Sequence, residues 1–429
     1  MPLATYHLSR LENGLRVATA EMPAMESVSV GIWAGAGGRH ESDRTNGAAH
    51  FLEHLLFKGT RRRSASAIAR EVEGLGGDLN AFTSEDHTCY FAKAEARHLP
   101  RVADVLLDMY QHSALPAHEV ERERGVIREE ILMGRDQPAQ VAEELLTATF
   151  WPRHPVGRPL TGTVESVAAL RRADLTGFWR AGYSSGNTVL TVAGPVVHGE
   201  VLTGLSASLA RTRPGQRARF RRVRAAGASR DVVVRVERQE VEQVQLTIGF
   251  PGPGRHDPRR FAVRVLSAIL GENMSSRLFQ RLREERGLCY SVHTHLETLH
   301  ETGMFSVTVG LEADRLAETL ELIRREIARI ASKRVASGEL QRSIDYLVGQ
   351  HRLSLESTTN QMSWLGETLL AYDRIVDPDT ARAQIAAVTA ADVQAVARDC
   401  FLGAGRVAVA AVGPVTLSDD QIGRAFRPA

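Results

Sequence analysis

The stretch that decides the fold of this chain is residues 46–59, which read Asn46-Gly47-Ala48-Ala49-His50-Phe51-Leu52-Glu53-His54-Leu55-Leu56-Phe57-Lys58-Gly59. Asn46 can cap the start of a helix, because its side-chain oxygen accepts a hydrogen bond from a backbone N–H. Gly59 can end that helix, since glycine adopts the left-handed turn that closes helices. Glu53 and His54 follow His50 by three and four residues, so one helix face carries all three. We therefore predict a helix that brings two imidazoles and a carboxylate into one small volume.

This pattern has the chemistry of a zinc site. His-x-x-Glu-His is the inverted zincin motif, in which two neutral imidazoles bind the metal and the glutamate contacts a water on it. A structural reading is the alternative, because so short a motif recurs by chance and buried histidines are often hydrogen-bonded core residues. Burying two histidines and a glutamate among apolar neighbours would, however, be costly without a compensating cation.

The composition is that of an ordinary globular protein. The chain has 429 residues, of which 43% are apolar and 24% charged, and its formal net charge is +2. This length allows two domains, and the balanced charge indicates neither nucleic acid nor a membrane surface as a partner. Three distant cysteines, Cys89, Cys289 and Cys400, argue against a disulfide framework. Since we find no signal peptide and no long apolar stretch, we expect a cytoplasmic protein.

The two halves of the chain follow one plan. A strand with a Gly-rich turn comes first, at residues 28–40 and again at 244–256. A strand followed by helices comes next, at 90–135 and 305–340. A last strand ends in Gly-Pro-Val, at 188–196 and 407–415. The offset between the two series drifts only from 215 to 220 residues. We therefore predict an α+β fold with two homologous domains, at residues 1–212 and 230–429, joined by an Arg-rich linker at 213–229.

The duplication provides an internal control for the polar trio. At an offset of 216 residues the three positions fall on Leu266, Ile269 and Leu270. Because the second half builds the same helix with aliphatic residues, the fold does not require His50, Glu53 and His54, which favours the functional interpretation.

The segment Arg211–Arg230 is rich in arginine, glycine and alanine. It could be a basic patch for a nucleic acid or an acidic partner, or a solvated linker between the domains. We favour the linker, because aromatic residues for base stacking do not alternate with the arginines.

A catalytic zinc ion usually has three protein ligands. The predicted helix at 117–135 offers carboxylates at Glu119, Glu121, Glu123, Glu129 and Glu130. The sequence resembles the pitrilysin/insulinase family of inverted-zincin metallopeptidases, especially its small two-domain branch and the β subunit of the mitochondrial processing peptidase. The resemblance rests on His50-Phe51-Leu52-Glu53-His54 followed, 76 residues after His54, by Glu130.

This resemblance implies roles for individual residues. Glu130 would be the third ligand of one Zn²⁺ per chain, beside His50 and His54, and Glu53 would be the general base. Glu123 lies two helical turns before Glu130 and would orient a ligating histidine. The other three glutamates of this helix are expected in solvent, with Glu129 as the competing ligand if the helix register differs.

Two further stretches extend the resemblance. Residues 76–83 resemble the family's active-site edge strand, which implies substrate contacts for Asn80, Ala81, Phe82 and Thr83. An ordinary strand is the alternative there.

Residues 282–290 resemble the family's Arg/Tyr substrate element, which implies catalytic and substrate-binding roles for Arg283 and Tyr290. The alternative is a surface arginine and a core tyrosine. Cys289, next to Tyr290, is expected to be an apolar filler rather than a nucleophile.

The resemblance as a whole implies a zinc metalloendopeptidase that cleaves peptides or unfolded polypeptide segments. Family members enclose a clam-shell chamber of four such domains, so a two-domain chain is expected to act as a homodimer, with the partner's Arg/Tyr element completing each zinc site. A non-catalytic scaffold, or one subunit of a heteromeric processing peptidase, is the alternative.

Overall fold

The computed structural model describes residues 3–224 and 229–427. These residues form two compact units of mixed helices and strands, each with its own sheet and hydrophobic core. The prediction of an α+β fold with two homologous domains is confirmed. The clam-shell arrangement on dimerisation stays a prediction.

Each unit is assembled from three segments of the chain. Unit 1 contains the chain up to Ile131, Arg158–Arg221 and Arg352–Asp377, and unit 2 contains Leu132–Gly157, Arg222–His351 and the chain from Pro378 onward. The predicted domains were the two halves of the duplication. Each unit differs from its half by one exchanged segment, because Leu132–Gly157 belongs to unit 2 and Arg352–Asp377 to unit 1. The predicted linker at 213–229 includes residues 225–228, which lie outside the described residues.

Six strands form the sheet of unit 1: β1 (Thr5–Arg10), β2 (Arg16–Glu21), β3 (Ser27–Ala34), β4 (Asp78–Thr83), β5 (Thr88–Glu95) and β6 (Thr188–Gly194). Their order is β1-β2-β6-β3-β5-β4. Only β2 and β6 pair in parallel. A hairpin turn that contains Asn13 and Gly14 joins β1 to β2, and β4 lies at the opposite edge of the sheet.

Five strands form the sheet of unit 2: β7 (Arg230–Arg238), β8 (Val244–Gly252), β9 (Cys289–Thr298), β10 (Gly303–Leu311) and β11 (Gly405–Gly413). Their order is β7-β11-β8-β10-β9, and again one pair, β7 with β11, is parallel. This order repeats that of the first sheet without a counterpart of the edge strand β1, as the duplication predicts.

Fifteen α-helices complete the described part of the chain. The first half contains α1 (Ala48–Leu56), α2 (Ala65–Glu73), α3 (Leu99–His112), α4 (Ala117–Arg135), α5 (Pro138–Phe150), α6 (Val164–Ala169), α7 (Arg172–Gly182) and α8 (His198–Leu209). The second half contains α9 (Arg260–Gly271), α10 (Leu316–Ser332), α11 (Ser337–Ser354), α12 (Thr358–Tyr372), α13 (Pro378–Ala386), α14 (Ala390–Leu402) and α15 (Asp419–Arg424). Among the described residues, no helix is long and apolar enough to cross a membrane.

The two exchanged segments each cover one face of a sheet. In unit 1, α1 and α3 pack on one face, and α12 packs on the other face against β2, β3 and β6. In unit 2, α9, α10 and α14 take the first face, and α5 packs against β8 and β11 on the second. Each sheet is therefore buried on both sides, and each half of the chain supplies a helix to the other unit.

The contact between α12 and its sheet depends on a missing side chain. A Cβ atom on Gly366 would lie 2.1 Å from Cε2 of Trp33, whose indole N–H donates to Thr191 Oγ1 at 2.8 Å. Because Trp33 is fully buried, it has no room to move aside. Glycine at this position lets the helix backbone approach the indole directly.

Candidate metal centre

Helix α1 divides its residues between the core and the site. Phe51, Leu52, Leu55 and Leu56 are fully buried in the hydrophobic core of unit 1. Its other face carries the three motif residues His50, Glu53 and His54, which remain partly accessible. Apolar packing on one face therefore fixes the direction in which the polar face points.

The start of α1 differs from the prediction, because Asn46 does not cap it. Gly47 takes that position with φ +90°, and the buried Glu41 carboxylate accepts from the backbone N–H groups of Gly47 (2.9 Å) and Ala49 (2.8 Å). Asn46 instead donates to Glu41 Oε2 and to the carbonyl of Pro159. Burial raises the pKa of Glu41 to about 7, against the lowering effect of these backbone hydrogen bonds.

The residues His50, His54 and Glu130 converge. Nε2 of His50 lies 3.6 Å from Glu130 Oε1, and Nε2 of His54 lies 3.6 Å from Glu130 Oε2. A tetrahedral zinc ion with ligand bonds of about 2.0–2.1 Å separates its ligand atoms by about 3.4 Å, so the spacing fits one ion. Among the described residues, this trio is the only group of histidine, cysteine and carboxylate side chains close enough to hold a metal.

The protonation state of His50 suits a metal ligand. Burial, together with the charge of the neighbouring His54, lowers the pKa of His50 to about 4. The imidazole is therefore neutral near pH 7 and keeps a lone pair for a cation. The buried Nδ1 of His50 has no hydrogen-bond partner among the described residues.

Glu123 lies behind His54, in the position that the sequence resemblance implied. Its carboxylate is almost fully buried; Oε2 lies 3.3 Å from His54 Nδ1, and Oε1 lies 2.7 Å from Lys58 Nζ. With Nδ1 donating to the carboxylate, the lone pair of His54 is on Nε2, the nitrogen nearest to Glu130, and is available to a metal. Lys58 was missed in the sequence analysis, although it continues the four-residue spacing of His50 and His54.

The competing glutamates of α4 take other positions. Glu129 is 64% exposed and pairs with Arg128 at 2.8 Å, and Glu121 is 70% exposed and pairs with Arg124 at 3.1 Å. Glu119 was expected in solvent, but its side chain is only 14% exposed; its Oε1 lies 3.5 Å from Nε2 of His118 and 3.9 Å from Arg122.

Glu53 shares the polar face with the histidines and contacts the edge strand β4. The hydroxyl of Thr83 donates to Glu53 Oε2 at 2.5 Å. Burial raises the pKa of Glu53, whereas the Thr83 hydrogen bond and the neighbouring His54 lower it. Thr83 therefore orients the carboxylate that the motif assigns to proton transfer.

The other predicted substrate residues of β4 have unequal positions. Phe82 packs edge-on against Trp33, with ring centroids 5.6 Å apart. Asn80 is exposed, and its side-chain oxygen accepts from the N–H of Ala81 at 2.8 Å. Since β4 pairs only with β5, its other edge has no strand partner among the described residues.

Arg283 and Tyr290 contact each other within unit 2. Arg283 lies in a π-helical turn, Phe279–Glu284, and its guanidinium lies 5.3 Å from the Tyr290 ring centroid. Tyr290 occupies a bulge in β9, where the pairing with β10 shifts, and its side chain is 75% exposed. It is therefore no core residue. Burial raises the pKa of the Cys289 thiol to about 11, which fits an apolar filler.

Comparisons with known proteins agree with this geometry. Residues 16–164 match the family model described as insulinase (peptidase family M16), and residues 169–347 match the one described as peptidase M16 inactive domain. The chain belongs to the M16 (insulinase) peptidase family. An uncharacterized zinc protease of Streptomyces coelicolor is 38% identical over 98% of this M16 chain and 92% of its own length. One of Bacillus subtilis is 33% identical over 91% of this chain and 94% of its own length.

Two solved structures share the M16 fold with this chain. A peptidase M16 inactive domain from Pseudomonas fluorescens superposes with a TM-score of 0.89 and 19% identity, covering 96% of this chain and 99% of that one. A protease from Helicobacter pylori gives a TM-score of 0.87 and 21% identity, covering 96% and 100%. These likenesses support the fold, and the sequence relatives support zinc as the metal.

Replacing Glu123 tests the hydrogen bond behind His54. We expect Glu123→Gln to weaken zinc binding by about 10- to 100-fold, because the amide neither fixes the imidazole nor neutralises Lys58 as the carboxylate does. Competition with a chromophoric chelator measures the affinity. Glu129→Gln, the same change at an exposed position on the same helix, is the control. Equal affinities in the two variants would contradict the assigned role of Glu123.

Proposed function

We propose that this chain is a zinc-dependent endopeptidase that hydrolyses peptides or unfolded polypeptide segments. The observation that carries the proposal is the convergence of His50, His54 and Glu130, with Glu53 on the same helix face. Zinc held by the first three would lower the pKa of a bound water toward about 7 and polarise a scissile carbonyl.

Glu53 supplies the proton transfers in this proposal. Its carboxylate takes a proton from the attacking water and delivers it to the leaving amine, so that its charge is restored in each cycle. Partial burial, which raises its pKa, favours such a shuttle because it makes the carboxylate a stronger base. The hydrogen bond from Thr83 keeps one carboxylate oxygen in place and leaves the other for water.

Substrate alignment is proposed for the free edge of β4. An extended peptide can add there as a strand, with backbone hydrogen bonds that do not depend on its side chains. Support comes from the packing of α1 against β4, which places Thr83 beside Glu53. Arg283 and Tyr290 are proposed to donate to substrate carbonyls and to the developing oxyanion, a role that the exposure of Tyr290 permits.

A non-catalytic scaffold is the rival interpretation. A scaffold has no need for the three ligand side chains, the carboxylate behind His54 or the hydrogen bond that orients Glu53. The corresponding helix of unit 2, α9, carries only Leu266, Ile269 and Leu270 at the motif positions. The joint presence of the polar groups in unit 1 therefore favours the enzyme.

Cleavage of a mixture of unstructured peptides tests the proposal. We expect Glu53→Gln to retain one zinc per chain but to lose at least about 100-fold in kcat/KM, because general base catalysis contributes 10²–10⁴-fold. Glu121→Gln, at an exposed position of α4, should cleave as wild type does. Zinc in all three proteins with no cleavage by any of them would favour the scaffold, and unimpaired cleavage by Glu53→Gln would refute the assigned base.

We further propose that the active form is a homodimer in which each zinc site uses Arg283 and Tyr290 of the other copy. Glu53→Gln and Arg283→Ala are each expected to be inactive. After subunit exchange their mixture should recover about a quarter of wild-type activity, because half of the dimers would be mixed and each of these has one intact site.

In the matched control, the Glu53→Gln chain is mixed with the double variant Glu53→Gln/Arg283→Ala. Every chain of that mixture lacks Glu53, so no site is intact and the mixture should stay inactive. If the first mixture stays inactive as well, although exchange is verified by differently tagged chains, the shared site is refuted. A requirement for a different partner chain would then be favoured.

A further inference from the structure

A small cavity of about 130 Å³ in unit 1 lies apart from the residues of the metal centre. It opens where the last turns of α3 and α7 meet the chain that follows α8. Its lining residues are Tyr110, Gln111, Trp179, Arg180, Tyr183, Arg211, Thr212 and Arg213. Three of these are arginines and none is acidic.

The floor of the cavity is aromatic and fixed. The rings of Tyr110 and Tyr183 stack with centroids 5.0 Å apart, and both side chains are almost fully buried. Their hydroxyls bond within the core, to Thr188 and Tyr90 respectively, and the indole N–H of Trp179 donates to the carbonyl of Tyr110. The floor is therefore rigid, and its ring polar groups are already satisfied.

The mouth of the cavity carries positive charge without counter-charge. The side chains of Arg180, Arg211 and Arg213 are exposed, and none of the three guanidinium groups has a hydrogen bond or ion pair to another described residue. Arg217, in the same Arg-rich segment, pairs instead with Asp373. A single unpaired surface arginine is ordinary, but three around one cavity without a carboxylate repel one another.

A fourth donor lies below the arginines. Thr212 is buried, and its Oγ1 accepts from the side-chain amide of Gln111 at 2.8 Å. The same amide group donates to the carbonyl of Ser208, so it holds Thr212 against the end of α8. Accepting this bond leaves the hydroxyl hydrogen of Thr212 available to a further acceptor.

We propose that this cavity binds a phosphoryl group, either as free inorganic phosphate or as the head of a small phosphomonoester. A phosphoryl group carries only acceptor oxygens near its charge, which matches three guanidinium groups and a hydroxyl. The volume lies below the roughly 300 Å³ of ordinary small-molecule pockets, so the cavity favours a group of this small size over a larger ligand. Stacking of a nucleic-acid base is disfavoured, because the tyrosine faces are buried.

Titration calorimetry with inorganic phosphate on the full-length, zinc-loaded chain tests the proposal. We expect saturable binding with one site, weakened about 10-fold or more in Arg180→Gln and in Arg213→Gln, because each loses a charge-assisted hydrogen bond. Arg213→Lys should bind with intermediate affinity, since lysine keeps the charge but not the two-pronged geometry. All of these positions are exposed, so the variants should melt at the wild-type temperature.

Two controls separate this cavity from other sources of binding. Arg70→Gln removes an exposed arginine of α2 whose guanidinium likewise has no partner among the described residues, and it should bind phosphate as wild type does. Metal-free protein should also bind with unchanged affinity, because the cavity contains no zinc ligand. Tighter binding of phenyl phosphate than of inorganic phosphate would assign the cavity to a monoester, and the reverse order to the free anion.

Three results would overturn the proposal. The first is the absence of saturable binding of both phosphate and phenyl phosphate. The second is binding that Arg180→Gln and Arg213→Gln leave unchanged, or that Arg70→Gln weakens to the same extent. The third is binding that requires zinc, which would place the anion at the metal centre instead.

Discussion

The contact of the buried Glu123 carboxylate with His54 and Lys58 is the interaction on which the candidate metal centre depends. The carboxylate is almost inaccessible to water and contacts a histidine on one oxygen and a lysine on the other. A buried carboxylate without such partners would be strongly destabilising, so Lys58, His54 and Glu123 constrain one another. His54 lies in α1, Lys58 follows that helix directly, and Glu123 lies in α4. This contact therefore also joins the helix that carries both histidines to the helix that carries Glu130.

The same local fold without its polar residues is present in unit 2. Helix α9 corresponds to α1 by sequence offset and buries Leu266, Ile269 and Leu270 at the positions of the motif. Two copies of one architecture thus differ at the point where chemistry is expected. The fold accounts for the apolar residues of α1, and the proposed metal site accounts for the polar ones.

Local periodicity predicted most of the strands and the site helices, because each depends on residues close in sequence. The strand β3, the helices α3 and α4 and the shared helix face of His50 and His54 are examples. Glu130 lies far from them in the sequence, and only the family resemblance implied it. The exchange of α5 and α12 was not predicted, since both helices pack through contacts with strands far away in the chain. The cap on α1 was assigned to Asn46 for a similar reason: Glu41 reaches the helix from a preceding loop whose path no propensity indicates.

The most direct test of the account is X-ray absorption at the zinc K-edge on the metal-loaded protein, compared with Glu53→Gln and Glu130→Ala. We expect four nitrogen or oxygen ligands at about 2.0–2.1 Å, two of them imidazoles, and no sulfur. This shell should persist in Glu53→Gln, because the carboxylate that is removed contacts the water rather than the metal. It should lose a protein ligand, or the zinc itself, in Glu130→Ala. A shell unchanged by Glu130→Ala, or a protein ligand lost in Glu53→Gln, would contradict the assignment of the metal centre.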